Sequence, residues 1–388
     1  MAQPTFEVEG NRLRLLTDGP ERLETIIRLI EGAEHSLRIL YYIFTDGAAG
    51  TWIRDSLIAA ARRGVDVHLI VDGMGSEPAQ ARRFFDPLEA AGIGLCRFTP
   101  RWGRRYLLRN HQKLVVADAE GSHPQAIIGG FNVGDDYFGT VDERAWRDLG
   151  LLLAGPAVPH LAGYFDALAE WTRAERSPIR VLNRTLRRWS QPQGRVRWLF
   201  GGPARRLSPW ARTLRQDMRR AQQFDLIAGY FAPNPAMLRR LDRIARRGRA
   251  RLVLPAKTDH QMAVWASRFT YAGLLRKRVE IYEYQATKLH TKLVRSDHAV
   301  YVGSANFDIR SLYLNLELML RVEDEAFAQH VRSYFDGEIA QSERITEELH
   351  QRRAGWLTRA RQAGAYFVMA VADLNLTRRL TGEGTGDQ

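Results

Sequence analysis

Two stretches of the sequence carry the same pattern of a histidine, a lysine and an aspartate: HQKLVVAD from His111 and HTKLVRSD from His290. If each stretch is a strand, its histidine and lysine share one face, because side chains alternate between the two faces of a sheet. A glycine turn that ends in asparagine follows each stretch, GGFN from Gly129 and GSAN from Gly303. A single H-x-K is typical of an ordinary edge strand, whereas two copies with the same following turn predict one site built twice.

Two such units facing each other would place two imidazoles, two ammonium groups and two carboxamides in one pocket, a set that suits a phosphodiester. One imidazole can attack phosphorus and form a phosphohistidine, while the other protonates the departing alcohol and later deprotonates the acceptor. Cationic and amide donors would hold the non-bridging oxygens and the charge of the transition state. The phosphate-binding candidates are Lys113, Lys292, Asn132, Asn306 and Ser304. Asp118 and Asp297, which end the two motifs, are expected to fix the strand ends, with a catalytic part left open.

A nucleophilic imidazole also needs a partner on its other nitrogen, which sets its tautomer. Asp148 in WRDLGLLL and Glu317 in LNLELML lie beside apolar strands at matching places after the two motifs. A buried acid on a strand is costly unless it is paired. We therefore assign Asp148 to His111 and Glu317 to His290, the alternative being that each acid forms an edge-strand salt bridge.

The helices and strands that must position these residues also occur twice in the sequence. Helices and apolar strands alternate in the same order in both halves, and AARRGVDVHLIVDG from Ala60 matches IARRGRARLVLPAK from Ile244. The halves are offset by 184 residues at Gly64 and Gly248, 179 at the histidines and 174 at the asparagines, which indicates an internal duplication. The pattern predicts an α/β fold of two duplicated lobes about a pseudo-twofold axis, each a mixed β-sheet flanked by helices. The predicted elements are helices 21–33, 51–63 and 235–247 and strands 37–44, 65–71, 224–231 and 250–254.

Composition narrows the function further. The chain has 388 residues, 57 Lys+Arg against 44 Asp+Glu and a net charge of +13, which predicts an anionic partner, either nucleic acid or an anionic lipid surface. A lone cysteine, Cys96, excludes an intrachain disulfide framework, and no histidine or carboxylate cluster has metal-ligand spacing. No apolar run reaches the roughly 20 residues of a membrane helix, and no signal peptide is evident. These features predict a soluble or peripheral protein without metal or other cofactor.

Several longer segments of the sequence resemble those of the phospholipase D superfamily, and more closely those of its bacterial cardiolipin synthase branch. They are EGNRLRLLTDG from Glu9, RRGVDVHLIVDGMGS from Arg62, WRDLGLLLAGPAV from Trp146, YFAPNPAML from Tyr230 and NFDIRSLYLNLE from Asn306. The resemblance covers about residues 9–342 and points to the short members that lack N-terminal membrane helices. It implies two fused lobes in an αβαβα arrangement and a site that works without metal.

The resemblance also implies a reaction and its residues. A phosphatidyl group would pass from phosphatidylglycerol, or a similar phospholipid, to a lipid hydroxyl, and glycerol would leave. His111 of the N-terminal motif would be the nucleophile and His290 the acid and base. Alternatives that use the same residues are a hydrolase with water as acceptor, a nuclease and a non-catalytic lipid-binding protein; nucleic acid is not the expected partner.

The sequence departs from the family pattern in two places. The segment AEGSHPQAII after Asp118 is longer than usual, and its His123 is predicted to lie at the surface. The first turn has Gly130 where the second has Ser304, so a hydroxyl is available in only one half.

Lipid substrates require contact with an anionic membrane, and we expect a cytoplasmic protein bound peripherally to the inner membrane. The chain divides into an N-terminal lobe (1–175), an Arg/Trp-rich connecting segment (176–220), a C-terminal lobe (221–345) and an amphipathic helix with a disordered tail (346–388). The apolar stripe of that helix, with Leu357, Ala360, Gly364 and Phe367, is expected to pack on its own domain, insertion into lipid being the alternative. The membrane-contact candidates are Trp102, Arg104, Arg105, Tyr106, Trp189, Trp198 and Trp210.

Overall fold

A computed structural model describes residues 3–99, 108–175, 178–204, 207–353 and 355–372 of the chain. Within these ranges two sheets of eight strands each are flanked and separated by helices. The expected pair of α/β lobes, each with a mixed sheet, is thereby confirmed.

The first lobe is built on one sheet with the strand order β1-β2-β8-β7-β6-β3-β4-β5, in which β3, β4 and β5 run parallel and the other pairs antiparallel. The strands are β1 (Thr5–Val8), β2 (Asn11–Leu16), β3 (Ser36–Tyr41), β4 (Asp66–Asp72), β5 (Gly94–Phe98), β6 (Leu114–Ala117), β7 (Gln125–Gly129) and β8 (Gly150–Ala154). The helices are α1 (Gly19–Glu31), α2 (Ala48–Arg62), α3 (Glu77–Ala81), α4 (Asp86–Ala90), α5 (Val158–Arg173) and α6 (Ile179–Trp189).

The second lobe repeats this plan with the order β18-β13-β12-β10-β14-β15-β17-β9. Its strands are β9 (Val196–Gly201), β10 (Gln223–Ala228), β11 (Phe231–Ala232), β12 (Arg249–Pro255), β13 (Glu280–Tyr284), β14 (Lys292–Ser296), β15 (Ala299–Gly303), β16 (Phe307–Asp308), β17 (Glu317–Glu323) and β18 (Ser342–Ile345). Its helices are α7 (Pro209–Arg220), α8 (Pro235–Arg247), α9 (Gln261–Leu275), α10 (Ile309–Tyr313), α11 (Glu325–Ala340), α12 (Glu347–Arg353) and α13 (Trp356–Tyr366). The short β11 and β16 pair outside the large sheet.

The two sheets share one buried core, because each presents an apolar face to the other lobe. Helices α5 and α11 lie in this shared layer, where Tyr164 on α5 stacks on Phe200 of β9 with ring centroids 3.7 Å apart. The outer face of the first sheet is covered by α1 and α2, and that of the second by α7 and α8. The layers therefore run helix, sheet, helix, sheet, helix, as the αβαβα expectation required.

The predicted connecting segment does not stand apart from the lobes. Strand β9 pairs with β17 and forms an edge of the second sheet, so structure that belongs to the second lobe begins well before residue 221. The signal was present in the sequence: Val196, Trp198 and Phe200 recur at every second residue, the period of a strand.

Helix α13 packs on α9 with a face different from the one predicted. Its buried residues are Gln362, Ala365 and Tyr366, whereas Leu357 and Phe367 of the apolar stripe are exposed. The expectation that this stripe packs on its own domain was therefore wrong. Across the described parts of the chain, every helix is too short or too polar to cross a bilayer.

Candidate active site

The two H-x-K motifs meet at the junction of the lobes. Each histidine stands just before its strand, since β6 begins at Leu114 and β14 at Lys292, and the preceding chain crosses to the opposite lobe. The backbone N–H of His111 donates to the carbonyl of Leu316 at 2.9 Å, and that of His290 donates to the carbonyl of Arg147 at 2.8 Å. We call these two backbone crossings the inter-lobe seam.

The seam places each histidine beside an acid of the other lobe. Nδ1 of His111 lies 3.2 Å from Oε2 of Glu317, and Nδ1 of His290 lies 2.6 Å from Oδ2 of Asp148. The assignment of Asp148 to His111 and of Glu317 to His290 was therefore wrong. Its physical reason is the crossing itself, because the residue that accepts each histidine's N–H directly precedes an acid on the opposite lobe.

This arrangement fixes the chemistry of both imidazoles. A carboxylate at Nδ1 holds the proton on that nitrogen and leaves Nε2 with a free lone pair. Burial, followed by the charge of the neighbouring lysine, lowers the pKa of His111 and brings that of His290 to about 4. Both imidazoles are therefore neutral at pH 7 in the free protein, the state that a nucleophile requires.

The two lysines are buried beside the histidines. Nζ of Lys113 donates to the carbonyl of His111 at 2.6 Å, and Nζ of Lys292 donates to the carbonyl of His290. Burial lowers the pKa of Lys113 far below its usual range and that of Lys292 to about 8, against the pull of Glu317 and Asp148. Two buried lysine amines at one site favour the binding of an anion, because a negative charge beside them stabilises their protonated forms.

Other side chains hold the two acids in place. Glu317 accepts hydrogen bonds from Oγ of Ser304 at 2.5 Å and from Oγ of Ser311 at 2.8 Å, so Ser304 fixes Glu317 and the expectation that it binds phosphate was wrong. Arg22 is buried on α1 and donates to the backbone carbonyl of Asp148 at 2.7 Å. No sequence pattern marked Arg22, because the residues around it in α1 are those of an ordinary amphipathic helix.

The two asparagines differ in what they can do. In Asn132, Oδ1 accepts from the N–H of Ile43 at 3.2 Å and Nδ2 donates to the hydroxyl of Tyr137 at 3.0 Å. One N–H of Asn132 is thus used for structure, and its second N–H is the donor that the predicted phosphate contact would require. In Asn306, Oδ1 accepts from the N–H of Tyr230 at 3.3 Å, which makes Nδ2 the end that can serve a phosphate.

Asp118 and Asp297 lie at strand ends with the positive φ angles of 49° and 51°. Asp118 accepts from the backbone N–H groups of Glu34, His35 and Ser36, and Asp297 from those of Gln222 and Gln223. They fix the entry to the first central strand of each lobe, in agreement with the expected structural part, and their bonds are not made to the catalytic groups.

Aromatic residues that the sequence analysis did not single out border the histidines. The ring of Tyr42 lies 5.0 Å from His111, and that of Tyr230 lies 6.3 Å from His290. Each follows the first central strand of its lobe, so the internal repeat already marked them as a pair. The hydroxyl of Tyr230 donates to Asp259 at 2.9 Å, whereas Lys113 lies over the ring of Tyr42 at 5.2 Å, so the two sides of the site are chemically unequal.

The residues predicted to contact a membrane differ in how deeply they are buried. Trp198 and Trp210 are buried and donate their indole N–H groups to the carbonyls of Ala157 and Ser311, so their prediction as membrane contacts was wrong. Trp189 is partly buried and lies against His160, with ring centroids 5.0 Å apart. The remaining candidates lie outside the described residues: Trp102, Arg104, Arg105 and Tyr106.

The Gly130/Ser304 difference between the halves has a steric reason. A Cβ added at Gly130 would lie 2.5 Å from Oδ1 of Asp148 and 2.7 Å from Cδ of Lys292. We expect Gly130→Ser to displace both groups and to slow turnover about 100-fold, the usual effect of an error near 1 Å at a reacting group. The rate of product formation tests this, with Gly337→Ser as the control, since a Cβ there meets no atom within 4 Å. Full activity of Gly130→Ser would contradict the crowding.

The shifted pKa of His290 also predicts an acid sensitivity of the fold. Because this pKa falls from 6.5 to about 4, the folded chain binds fewer protons than the unfolded chain between these values. The stabilisation is complete above pH 6.5 and is lost as the pH falls through 4. From pH 7 to pH 5 we expect wild type to lose about 2 kcal/mol more unfolding free energy than His290→Gln. Urea unfolding at both pH values measures the difference, and equal losses in the two proteins would refute it.

Possible metal ligands were also considered. Over residues 3–99, 108–175, 178–204, 207–353 and 355–372, no three His, Cys, Asp or Glu side chains are grouped as a metal site.

Two similar α/β lobes that each contribute one H-x-K histidine to a shared site are the arrangement expected of the phospholipase D superfamily. A family model described as "Cardiolipin synthase, PLD-like domain" matches residues 26–168 and 214–339, and the chain belongs to this family.

Individual proteins agree with this placement. The chain is 32% identical over 357 residues to cardiolipin synthase 1 of Bacillus cereus, covering 88% of this chain and 69% of the relative. It is 31% identical over 349 residues to cardiolipin synthase A of Pseudomonas fluorescens, covering 87% and 71%. The crystal structure of phosphatidylserine synthase from Haemophilus influenzae superimposes with a TM-score of 0.71 at 12% identity, over 98% of this chain and 96% of that one. At that identity the likeness shows the shared fold.

Proposed function

We propose that this phosphatidyltransferase of the phospholipase D superfamily makes cardiolipin from two molecules of phosphatidylglycerol at the surface of an anionic membrane. The observation that carries the proposal is the pair of crossed His–carboxylate contacts, which presents two neutral imidazoles to one space between two buried lysines. The names of the relatives supply the product, cardiolipin, and the family resemblance implies phosphatidylglycerol as the donor.

In the first step, Nε2 of His111 attacks the phosphorus of phosphatidylglycerol. A P–N bond forms, the P–O bond to glycerol breaks, and His290 gives its proton to the departing glycerol oxygen. Lys113, Lys292 and Nδ2 of Asn306 hold the non-bridging oxygens. The assignment of attack to His111 rests on the resemblance of the N-terminal motif to that of the superfamily.

In the second step, His290 takes the proton from the glycerol hydroxyl of a second phosphatidylglycerol. That oxygen attacks phosphorus, a P–O bond forms, the P–N bond breaks, and His111 is restored. Over the two steps glycerol leaves with the proton of His290 and the acceptor hydroxyl supplies its replacement, so both histidines end in the protonation states in which they began.

The substrate itself prepares His290 for its first task. In the free site burial and the charge of Lys292 keep this imidazole neutral. A phosphodiester brings a negative charge between the two histidines, which raises the pKa of His290 and favours a proton on it. Glu317 and Asp148 stabilise whichever imidazolium forms without taking the proton themselves.

The test uses purified protein with phosphatidylglycerol vesicles in excess EDTA, and mass spectrometry of the products. Cardiolipin and equimolar glycerol are expected. Phosphatidic acid alone would identify water as the acceptor and overturn the transferase in favour of a hydrolase. Intact lipid together with cleavage of added DNA would overturn the lipid substrate altogether.

A further inference from the structure

The last described helix carries an unusual set of exposed apolar side chains. The exposed fractions are 77% for Trp356, 54% for Leu357, 60% for Phe367 and 48% for Val368. Single exposed apolar residues are ordinary, but four on one helix and its continuation, two near each end, indicate an interaction surface.

This patch is not a core face that has lost its partner, because the opposite face of the helix is already packed. Ala365 and Tyr366 are buried with Ala266 of α9 and Ile309 of α10. The hydroxyl of Tyr366 donates to the carbonyl of Pro233 at 2.8 Å, and its ring stacks on Phe269 at 4.9 Å. The helix is thus fixed to the second lobe with its apolar stripe turned outward.

The spacing of the stripe fits a helix that lies along a surface. Trp356, Ala360, Gly364 and Phe367 recur every three or four residues, and all are exposed. Such a helix can bury one apolar side in the region between the headgroups and the acyl chains.

The charges next to the stripe indicate what the surface is made of. Arg359 and Arg361 are exposed on the same helix, and the chain as a whole has a net charge of +13. Arginines beside an apolar stripe attract anionic headgroups. A second copy of the chain would instead bring these arginines against their own kind, so charge complementarity favours the bilayer over a dimer.

The helix is also attached to the rim of the active site. Pro233, which holds Tyr366, lies three residues after Tyr230, whose ring is 6.3 Å from His290. Ile309, which is buried in the same cluster as Tyr366, directly follows Asp308. Asp308 pairs with Ala232, the residue before Pro233. A surface that binds this helix is therefore connected by short, packed segments to the part of the active site that the second lobe forms.

We propose that the outward face of α13 and its continuation, made by Trp356, Leu357, Phe367 and Val368, docks on an anionic phospholipid bilayer and holds the active site at the lipid surface. This inference rests on the proposed function for its purpose. The docking step itself involves only binding and is measurable without turnover.

The test is sedimentation with vesicles of phosphatidylglycerol and phosphatidylcholine in equal parts. Wild type is expected to bind, and the triple variant Trp356→Ser, Leu357→Ser, Phe367→Ser to bind at least ~10-fold more weakly, since three apolar anchors are removed. Trp52→Ser, an exposed tryptophan of α2, is the matched control and is expected to bind like wild type. Equal binding by the triple variant and wild type would overturn the proposal.

A second readout separates docking from catalysis. On short-chain phosphatidylglycerol dispersed as single molecules, the triple variant is expected to turn over at the wild-type rate, because no changed residue touches the site. If wild type fails to turn over this lipid but still binds vesicles through the helix, the proposed function fails and the docking proposal stands. If wild type is a dimer and the triple variant is a monomer, this face binds a second copy of the chain and the docking proposal is overturned.

Discussion

With an activated donor such as a nitrophenyl phosphodiester, the His290→Ala variant is expected to release about one equivalent of nitrophenolate and then stop, whereas His111→Ala releases none. Nitrophenolate leaves without a proton, so the first step does not need His290, and the phosphohistidine on His111 then lacks the base that activates the acceptor. With phosphatidylglycerol itself, we expect His290→Ala to be slower than wild type by about 10³-fold and His111→Ala by at least ~10⁴-fold.

Rapid mixing measures the burst, and mass spectrometry of alkaline digests locates the acid-labile phosphate on His111. His123→Ala is the matched control, because His123 is an exposed histidine of the same lobe and is expected to behave like wild type. A burst from His111→Ala and none from His290→Ala would exchange the two roles.

The acids are expected to reproduce this pattern crosswise. Glu317→Gln should behave like His111→Ala, with no burst, and Asp148→Asn like His290→Ala, with a burst that stalls. Each is expected to lower transfer by about 10³- to 10⁴-fold, the effect known when a carboxylate that sets a histidine tautomer becomes an amide. The reason is geometric, because Glu317 contacts His111 and Asp148 contacts His290.

The same burst experiment measures both variants, and the amides are close in shape to the acids, so the fold should persist. Glu323→Gln, at the exposed end of β17, is the control on the strand that carries Glu317. If Asp148→Asn abolished the burst and Glu317→Gln preserved it, each acid would serve its own lobe and the crossed contacts would be without catalytic meaning.

The fold and the chemical groups of the site could be predicted from the sequence, because the lobes and their motifs each occur twice. The offsets between the halves identified two α/β lobes, and α8 (Pro235–Arg247) has the predicted bounds. The same repeat marked Asp148 and Glu317 as equivalent acids. Their pairing was out of reach, because it depends on the chain crossing between lobes at His111 and His290, which leaves no local pattern.

The tryptophans show a second kind of limit. Composition alone favours Trp198 and Trp210 for a membrane surface, since each stands among arginines, yet a composition does not say which face of an element is covered. Trp198 lies with Val196 and Phe200 on the face of β9 that joins the shared core, and Trp210 lies on the buried side of α7. For α13 the error was the reverse. Its apolar stripe was predicted to pack on its own domain, and the structure leaves that stripe exposed.

The inter-lobe seam also determines how substrates must enter and leave. A hinged enzyme admits a large ligand by swinging its halves apart. Here such a movement would break both backbone crossings, separate each imidazole from its carboxylate and expose a core that the two sheets share. The halves must therefore stay together through the whole catalytic cycle. On the proposed function, acyl chains therefore enter and leave while both backbone crossings stay intact, so lipid exchange does not depend on a hinge.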